Sequence, residues 1–146
     1  MSETNIETLI RNFLDAYMKQ DVDGTLSFFA ENGVWQVPEG VFKGKEAKRY
    51  LTWAFKRNRQ IKFRDAGIGL VVRGNKAVYE YVMEVVTFEG MKYETPGVCI
   101  YEIGDGKIKQ HTVLYDRLSV AKQVAKGAVS KRVINSVLNT MEKGLR

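Results

Sequence analysis

The side chains that could do chemistry fall within one stretch, Tyr79 to Asp116: Glu80, Glu84, Cys99 and His111. His111 is the only histidine in the chain, and the only side chain whose ordinary pKa suits proton transfer near neutrality. As a general base it needs a partner to orient it; without one it is a structural, hydrogen-bonded histidine. Cys99 is the only cysteine. It becomes a nucleophile where a neighbouring imidazole lowers its pKa, and is otherwise an inert buried thiol. Carboxylates inside a strand, such as Glu80 and Glu84, are either solvated or paired and functional. One cysteine excludes an intrachain disulfide, and with one histidine it offers no metal-ligand spacing, so no metal or redox cofactor is expected.

The elements that must position these groups read as three antiparallel strands, Ala77 to Phe88, Lys92 to Ile103 and Lys107 to Leu118. Glu89-Gly90 and Gly104-Asp105-Gly106 are the turns between them. Turn length fixes which residues share a face. Taking Glu89-Gly90 as a two-residue loop sets Phe88 against Met91 and Glu80 against Cys99. Taking Gly104 to Gly106 as a three-residue loop sets Cys99 against His111. Glu80, Cys99 and His111 then form one row, with Glu80 two strands, ~10 Å, from the imidazole. Gly74-Asn75 extends the count to Gly69 opposite Glu80. One face carries Gly67, Gly69, Glu80, Val82, Glu84, Cys99, Tyr101, His111, Val113 and Tyr115. The other carries Leu70, Tyr79, Tyr81, Met83, Val85, Val98, Ile100 and Leu114, and its apolar character demands burial against helices or a second subunit.

At 146 residues and 45% hydrophobic, the chain suits one domain over 1–146. No apolar run approaches a membrane span and the N-terminus lacks signal-peptide regions, so a cytoplasmic protein is expected. From Arg117 onward seven Lys or Arg face Glu142 alone, while Met1 to Asp116 is balanced. That basic segment could meet nucleic acid or another anionic surface, but no aromatic residue is interleaved for base stacking, and a solvated helix face explains it as well.

Thr4-Asn5-Ile6-Glu7 has capping-box spacing before a helix with Ile6, Leu9, Ile10, Phe13, Leu14 and Tyr17 on its apolar side. Asp21 or Asp23 caps a short second helix, a strand runs from Gly33 to Val37 and stops at Pro38, and Gly40 to Gly44 is a connection. A third helix covers Lys45 to Lys56, with Trp53 on its edge. Gln60 to Val72 is a strand, and 119–146 a helical extension that Gly127 divides. Helices followed by a meandering antiparallel sheet make an α+β pattern. Tyr17, Trp35, Trp53, Tyr101 and Tyr115 are the aromatic residues suited to line a pocket for a flat or apolar ligand, or else to fill a core.

The chain resembles the SnoaL-like branch of the nuclear transport factor 2 superfamily. The matching residues are Phe13-Leu14-Asp15-Ala16-Tyr17, Asp21-Val22-Asp23-Gly24, Phe28 to Trp35, Gly44-Lys45-Glu46-Ala47, and above all Asp105 to His111 continuing to Tyr115-Asp116 and Gln123. The resemblance spans roughly Ile6 to Val124. It implies a cone of N-terminal helices on a curved sheet, a ligand pocket, and a homodimer through the outer sheet face. It also implies that Phe13 stands where ketosteroid isomerases carry an oxyanion tyrosine, Val37 where they carry the base, and Cys99 and Val113 where cyclases carry pocket groups. Those catalytic sets are therefore replaced, and Phe13, Cys99 and Val113 become lining. The reading that follows is a small-molecule enzyme doing acid/base chemistry on a hydrophobic substrate (isomerase, cyclase, dehydratase or hydrolase), with His111 transferring the proton and Glu80 or Glu84 compensating its charge. The alternative is a non-catalytic ligand-binding or dimerisation module.

Overall fold

A computed structural model describes residues 1–145; Arg146, last of the basic residues near the C-terminus, lies outside the described residues. Helix α1, Glu3–Met18, starts earlier than the Thr4 capping box suggests, because the Ser2 side chain accepts the Asn5 N–H at 3.1 Å. Its Ile6, Leu9, Ile10, Phe13 and Leu14 are all buried, each worth roughly 1.5–3 kcal/mol when removed from water. Asp21 caps α2, Val22–Leu26, by accepting the Gly24 N–H at 2.9 Å. Strand β1 is Phe29–Val37, four residues longer at its start than its sequence signal, and the Gly40 to Gly44 connection holds a strand of its own, β2, Gly40–Lys43. Helix α3, Lys45–Arg57, buries Ala47, Leu51, Ala54 and Phe55.

The remaining strands are β3 Asn58–Arg73, β4 Lys76–Thr87, β5 Lys92–Gly104 and β6 Lys107–Tyr115; helices α4, Arg117–Val124, and α5, Gly127–Met141, follow. Asp116 caps α4 through the N–H groups of Leu118 and Ser119, so the last strand ends three residues before Leu118. One six-stranded sheet has the order β2-β1-β6-β5-β4-β3, antiparallel throughout except where β1 lies parallel to β6. Helices α1 and α3 pack on its inner face over a core of Ile10, Phe13, Trp35, Leu51, Tyr79, Tyr101 and Ile108. This is the NTF2-like α+β fold.

The register differs from the turn-length count in two places. Between β4 and β5 the closing bonds run from Thr87 N–H to Met91 O and from Gly90 N–H to Thr87 O. The loop therefore has three residues, Phe88-Glu89-Gly90, with Gly90 left-handed at φ 85°, and Glu80 pairs with Val98 rather than Cys99. That single-residue slip sends Glu80, Val82 and Glu84 to the outer face and Tyr79, Tyr81, Met83 and Val85 inward. Between β5 and β6 the loop is shorter than counted: Gly104 pairs with Lys107 across a two-residue turn in which Asp105 and Gly106 both take positive φ. A bulge at Lys109 then adds a second residue to the shift, so the inward parity of His111 survives while its partner becomes Tyr101. The row Glu80–Cys99–His111 does not exist; the rows are Tyr79–Cys99–Val113 and Ala77–Tyr101–His111–Trp35.

Glu80 has a structural role instead. Strand β3 bulges between Asp65 and Leu70, and the Glu80 carboxylate accepts the Ile68 N–H at 2.9 Å inside that bulge. Gly67 sits there at φ 50°, and a Cβ on it would lie 2.0 Å from Glu80 Oε2; Gly69, at φ 64°, has nothing nearer than 3.5 Å. Gly69→Ala is expected to cost ~1–2 kcal/mol for its backbone alone. Gly67→Ala must also unseat the carboxylate from Ile68 N–H, adding ~1 kcal/mol. Urea titration of the two variants measures this, and equal losses would show that the carboxylate does not hold the bulge.

Candidate functional site

The rows of the sheet assemble an aromatic box. His111 stands between Trp35 on β1 and Tyr101 on β5, and its ring stacks on Tyr101 at 4.5 Å with planes 7° apart. Trp35 lies 5.0 Å from it, and Phe13 of α1 meets it edge-on at 5.2 Å. Phe29 closes a further side and stacks on Trp35 at 5.1 Å. The imidazole is 3% exposed, and among the described residues neither Nδ1 nor Nε2 has a hydrogen-bond partner. Burial among apolar rings lowers its pKa from the usual value to about 3, so it is neutral at physiological pH. Trp35 Nε1 and the Tyr101 hydroxyl are likewise buried without a well-formed hydrogen bond.

Above this floor opens a cavity of about 430 Å³, within the range of small-molecule sites. Phe13, Tyr17, Trp35, Trp53, Cys99, Val113, Tyr115 and His111 all line it, so the structure brings eight of the eleven residues singled out in the sequence to one place. Tyr101 packs behind His111 rather than in the wall. Glu80 and Glu84 lie on the opposite face of the sheet, the latter beside Arg64 at 3.6 Å, and neither reaches the imidazole. The proposed pairing of His111 with either carboxylate is thus corrected, for the register reason given above. Cys99 is fully buried, and desolvation pushes its thiol up to about 12, against the weaker opposing influence of the Tyr101 and Tyr81 hydroxyls; it lines the wall as a neutral thiol.

Sequence reasoning missed the inner side of β4, which supplies Tyr81, Met83 and Val85. It also missed Glu39. This carboxylate lies in the tight β1–β2 turn that follows Pro38, lines the cavity, and accepts a hydrogen bond from the Tyr115 hydroxyl. Burial first, and the Glu39 carboxylate second, raise the Tyr115 pKa. The signal was Pro38-Glu39-Gly40 directly after a strand, a turn that carries a carboxylate. Lys56, Arg57 and Glu89 complete the charged part of the wall, and Arg57 lies over the Trp53 ring at 5.1 Å. Helix α4 contributes Val120 and Val124. It is tied down by Gln123, whose amide bonds both the N–H and the C=O of Glu94, while Lys126 just beyond it pairs with Glu89 at 2.7 Å.

The arrangement resembles solved structures in fold. An NTF2-like protein of unknown function from Burkholderia pseudomallei superposes with a TM-score of 0.75 at 16% identity, covering 86% of this chain and all of that one. A candidate polyketide cyclase from Xanthomonas campestris pv. campestris gives 0.73 at 23%, covering 84% and 98%. TerC, crystallised with polyporic acid, gives 0.70 at 20%, covering 82% and 96%. No curated protein sequence matches the chain. The SnoaL-like domain pattern matches residues 10–111, from the middle of α1 to His111 itself, and the chain belongs to the SnoaL-like family.

Proposed function

We propose that this protein is an enzyme acting by proton transfer on a small, flat, largely apolar carbonyl compound held in the aromatic cavity. The observation that carries this is the neutral, unpartnered imidazole of His111 in the cavity wall. Buried polar groups are normally hydrogen-bonded, and one left open calls for an explanation, of which a catalytic role is one. Two groups of different character line the same cavity. Neutral His111 can donate a hydrogen bond to a substrate oxygen, and the Glu39 carboxylate can accept a proton from carbon. In an enolisation, the C–H proton passes to Glu39, its electron pair forms the C=C bond, and the oxygen that gains charge is held by the imidazole N–H. Return of a proton to the same or another carbon completes an exchange or an isomerisation. A homodimer through the outer sheet face is part of this proposal.

A second reading, a ligand-binding module without turnover, is favoured by the placement of Glu80 and Glu84 outside the cavity. Deuterium exchange separates the two. 2-Tetralone bound in D₂O, followed by NMR, is expected to exchange its α-protons faster than in buffer. Glu39→Gln and His111→Gln should each remove most of that acceleration, in line with the roughly 10²–10⁴-fold typical of a general acid or base. Exchange at the buffer rate, with Trp35 and Trp53 fluorescence showing the ketone bound, would establish the binding reading instead.

A further inference from the structure

We infer that helix α5 is a peripheral membrane anchor whose apolar ridge lies in the surface of an anionic lipid bilayer. The inference goes beyond the cavity and holds whatever the cavity binds. Val129, Val133, Val137 and Met141 recur at every fourth residue and so form one ridge along the helix. They are 75%, 58%, 46% and 72% exposed. Ile134 and Leu138 flank the ridge, partly buried, and Leu145 beyond the helix end is exposed. Arg132, Asn135, Ser136, Asn139 and Lys143 share another side of the helix around an open polar groove. Among the described residues none of α5 is buried, and past α4 the helix meets the body of the fold only sparsely. A helix of 15 residues is marginal on its own hydrogen bonds, and the valines and isoleucine lower its propensity further. Such helices are stabilised by covering their apolar face, so a surface outside this chain must cover this one.

Charge and composition choose the occupant. Gly127–Met141 carries Lys131 and Arg132 and no acidic residue, and Lys126 and Lys143 flank it beside the single carboxylate of Glu142. A basic amphipathic helix of this kind settles at the headgroup layer of an anionic membrane, its apolar side chains at the acyl boundary and its cations near the phosphates. Nucleic acid would meet the cations and leave the ridge in water. A second copy would cover the ridge, but four side chains fall well short of the roughly 20–30 residues that each partner gives to a stable protein interface. The helix also starts beside the cavity: Lys126 pairs with Glu89 at 2.7 Å, and Glu89 lines the cavity together with the exposed Phe88 and Trp53. Anchoring through α5 therefore keeps the cavity within a helix length, about 22 Å, of the lipid.

Co-sedimentation of the full chain with vesicles in 0.1 M salt tests this. Vesicles of equal parts phosphatidylcholine and phosphatidylglycerol are expected to bind the wild-type protein at least about 10-fold more tightly than phosphatidylcholine alone. Raising the salt to 0.5 M should erase most of that difference. Val133→Ser with Val137→Ser should weaken binding to the anionic vesicles by at least about 10-fold, and Lys131→Gln with Arg132→Gln by roughly 10- to 30-fold. All four side chains are exposed, so both variants should melt at the wild-type temperature, which reports an intact fold. Failure to bind either vesicle, or binding that survives both double substitutions, overturns the inference. Anionic binding that ignores the valine pair alone overturns insertion of the ridge. Without vesicle binding, duplex DNA bound through Lys131 and Arg132 would assign α5 to nucleic acid, and self-association lost with the valine pair would assign the ridge to a second copy.

Discussion

His111→Phe is expected to raise the stability of the protein while removing the hydrogen-bond donor proposed for catalysis. The imidazole forgoes two hydrogen bonds in a buried position, and each unsatisfied buried polar atom costs on the order of 1–3 kcal/mol. Phenylalanine removes both atoms and keeps the stack on Tyr101 and the edge contact with Phe13. Its extra volume can extend into the cavity that His111 lines, so overpacking offsets only part of the gain. A net stabilisation of ~1–3 kcal/mol follows, or roughly 2–4 °C in Tm per kcal/mol for a chain of this size. The pH dependence gives an independent check. In the folded protein the imidazole titrates near 3, against about 6.5 in the unfolded chain, so between those values only the unfolded state binds the proton. Wild-type stability should therefore fall as pH drops from 6.5 toward 3, by up to about 1.4 kcal/mol per pH unit, and the variant should lose that share of the slope. Destabilisation by more than ~1 kcal/mol, or an unchanged acid slope, would mean that the imidazole has a partner such as a buried water, and the case for a ligand on His111 would fall with it.

Such a gain on removing a polar side chain is the mark of a group kept for function rather than for folding. It also explains why the candidate site was only partly legible in the sequence. The α1 periodicity, the Asp21 and Asp116 caps, and the alternation within β5 and β6 are local properties, and they place Phe13, Cys99, Tyr101, His111 and Val113 on the inner side. Loop length is a less local property. Glu89-Gly90 reads as a two-residue turn and Gly104-Asp105-Gly106 as three, yet Phe88 is drawn into the first loop and Gly104 pairs with Lys107 in the second. The first error inverted β4 and so put Glu80 and Glu84 beside His111. The second was cancelled in face, though not in partner, by the bulge at Lys109, which no residue type announces. The apolar residues Tyr79, Tyr81, Met83 and Val85 do pack on the helices, as their pattern requires, and Cys99 and Val113 do face the cavity, as the resemblance implies.

The outer sheet face yields the other large expected effect, with a membership that the corrected register changes. Leu70, Tyr81 and Met83 face the core side and leave the stripe first assigned to it. Ile68, Ile100 and Leu114 remain, 63%, 40% and 55% exposed, Val71 joins them at 48% through its pairing with Val78, and Val98 lies opposite Leu114 on the β5–β6 pair. Charged residues rim this patch, including Arg64, which lies within ion-pair reach of both Glu84 and Glu94. An apolar centre with a polar rim on one face is the composition of an interface, and two-fold symmetry lets one such patch meet its own copy. The wild-type protein is expected to sediment as a dimer at tens of micromolar. Ile100→Glu with Leu114→Glu places four carboxylates in the dry centre of that dimer, and a buried unpaired charge costs several kcal/mol. Dissociation should weaken the complex by more than ~10⁴-fold, giving monomer across the accessible range. Because both side chains point away from the core, the circular dichroism spectrum of the monomer should match that of the wild type. A wild-type protein that is monomeric at 100 µM by sedimentation equilibrium would remove the outer face as a self-association surface.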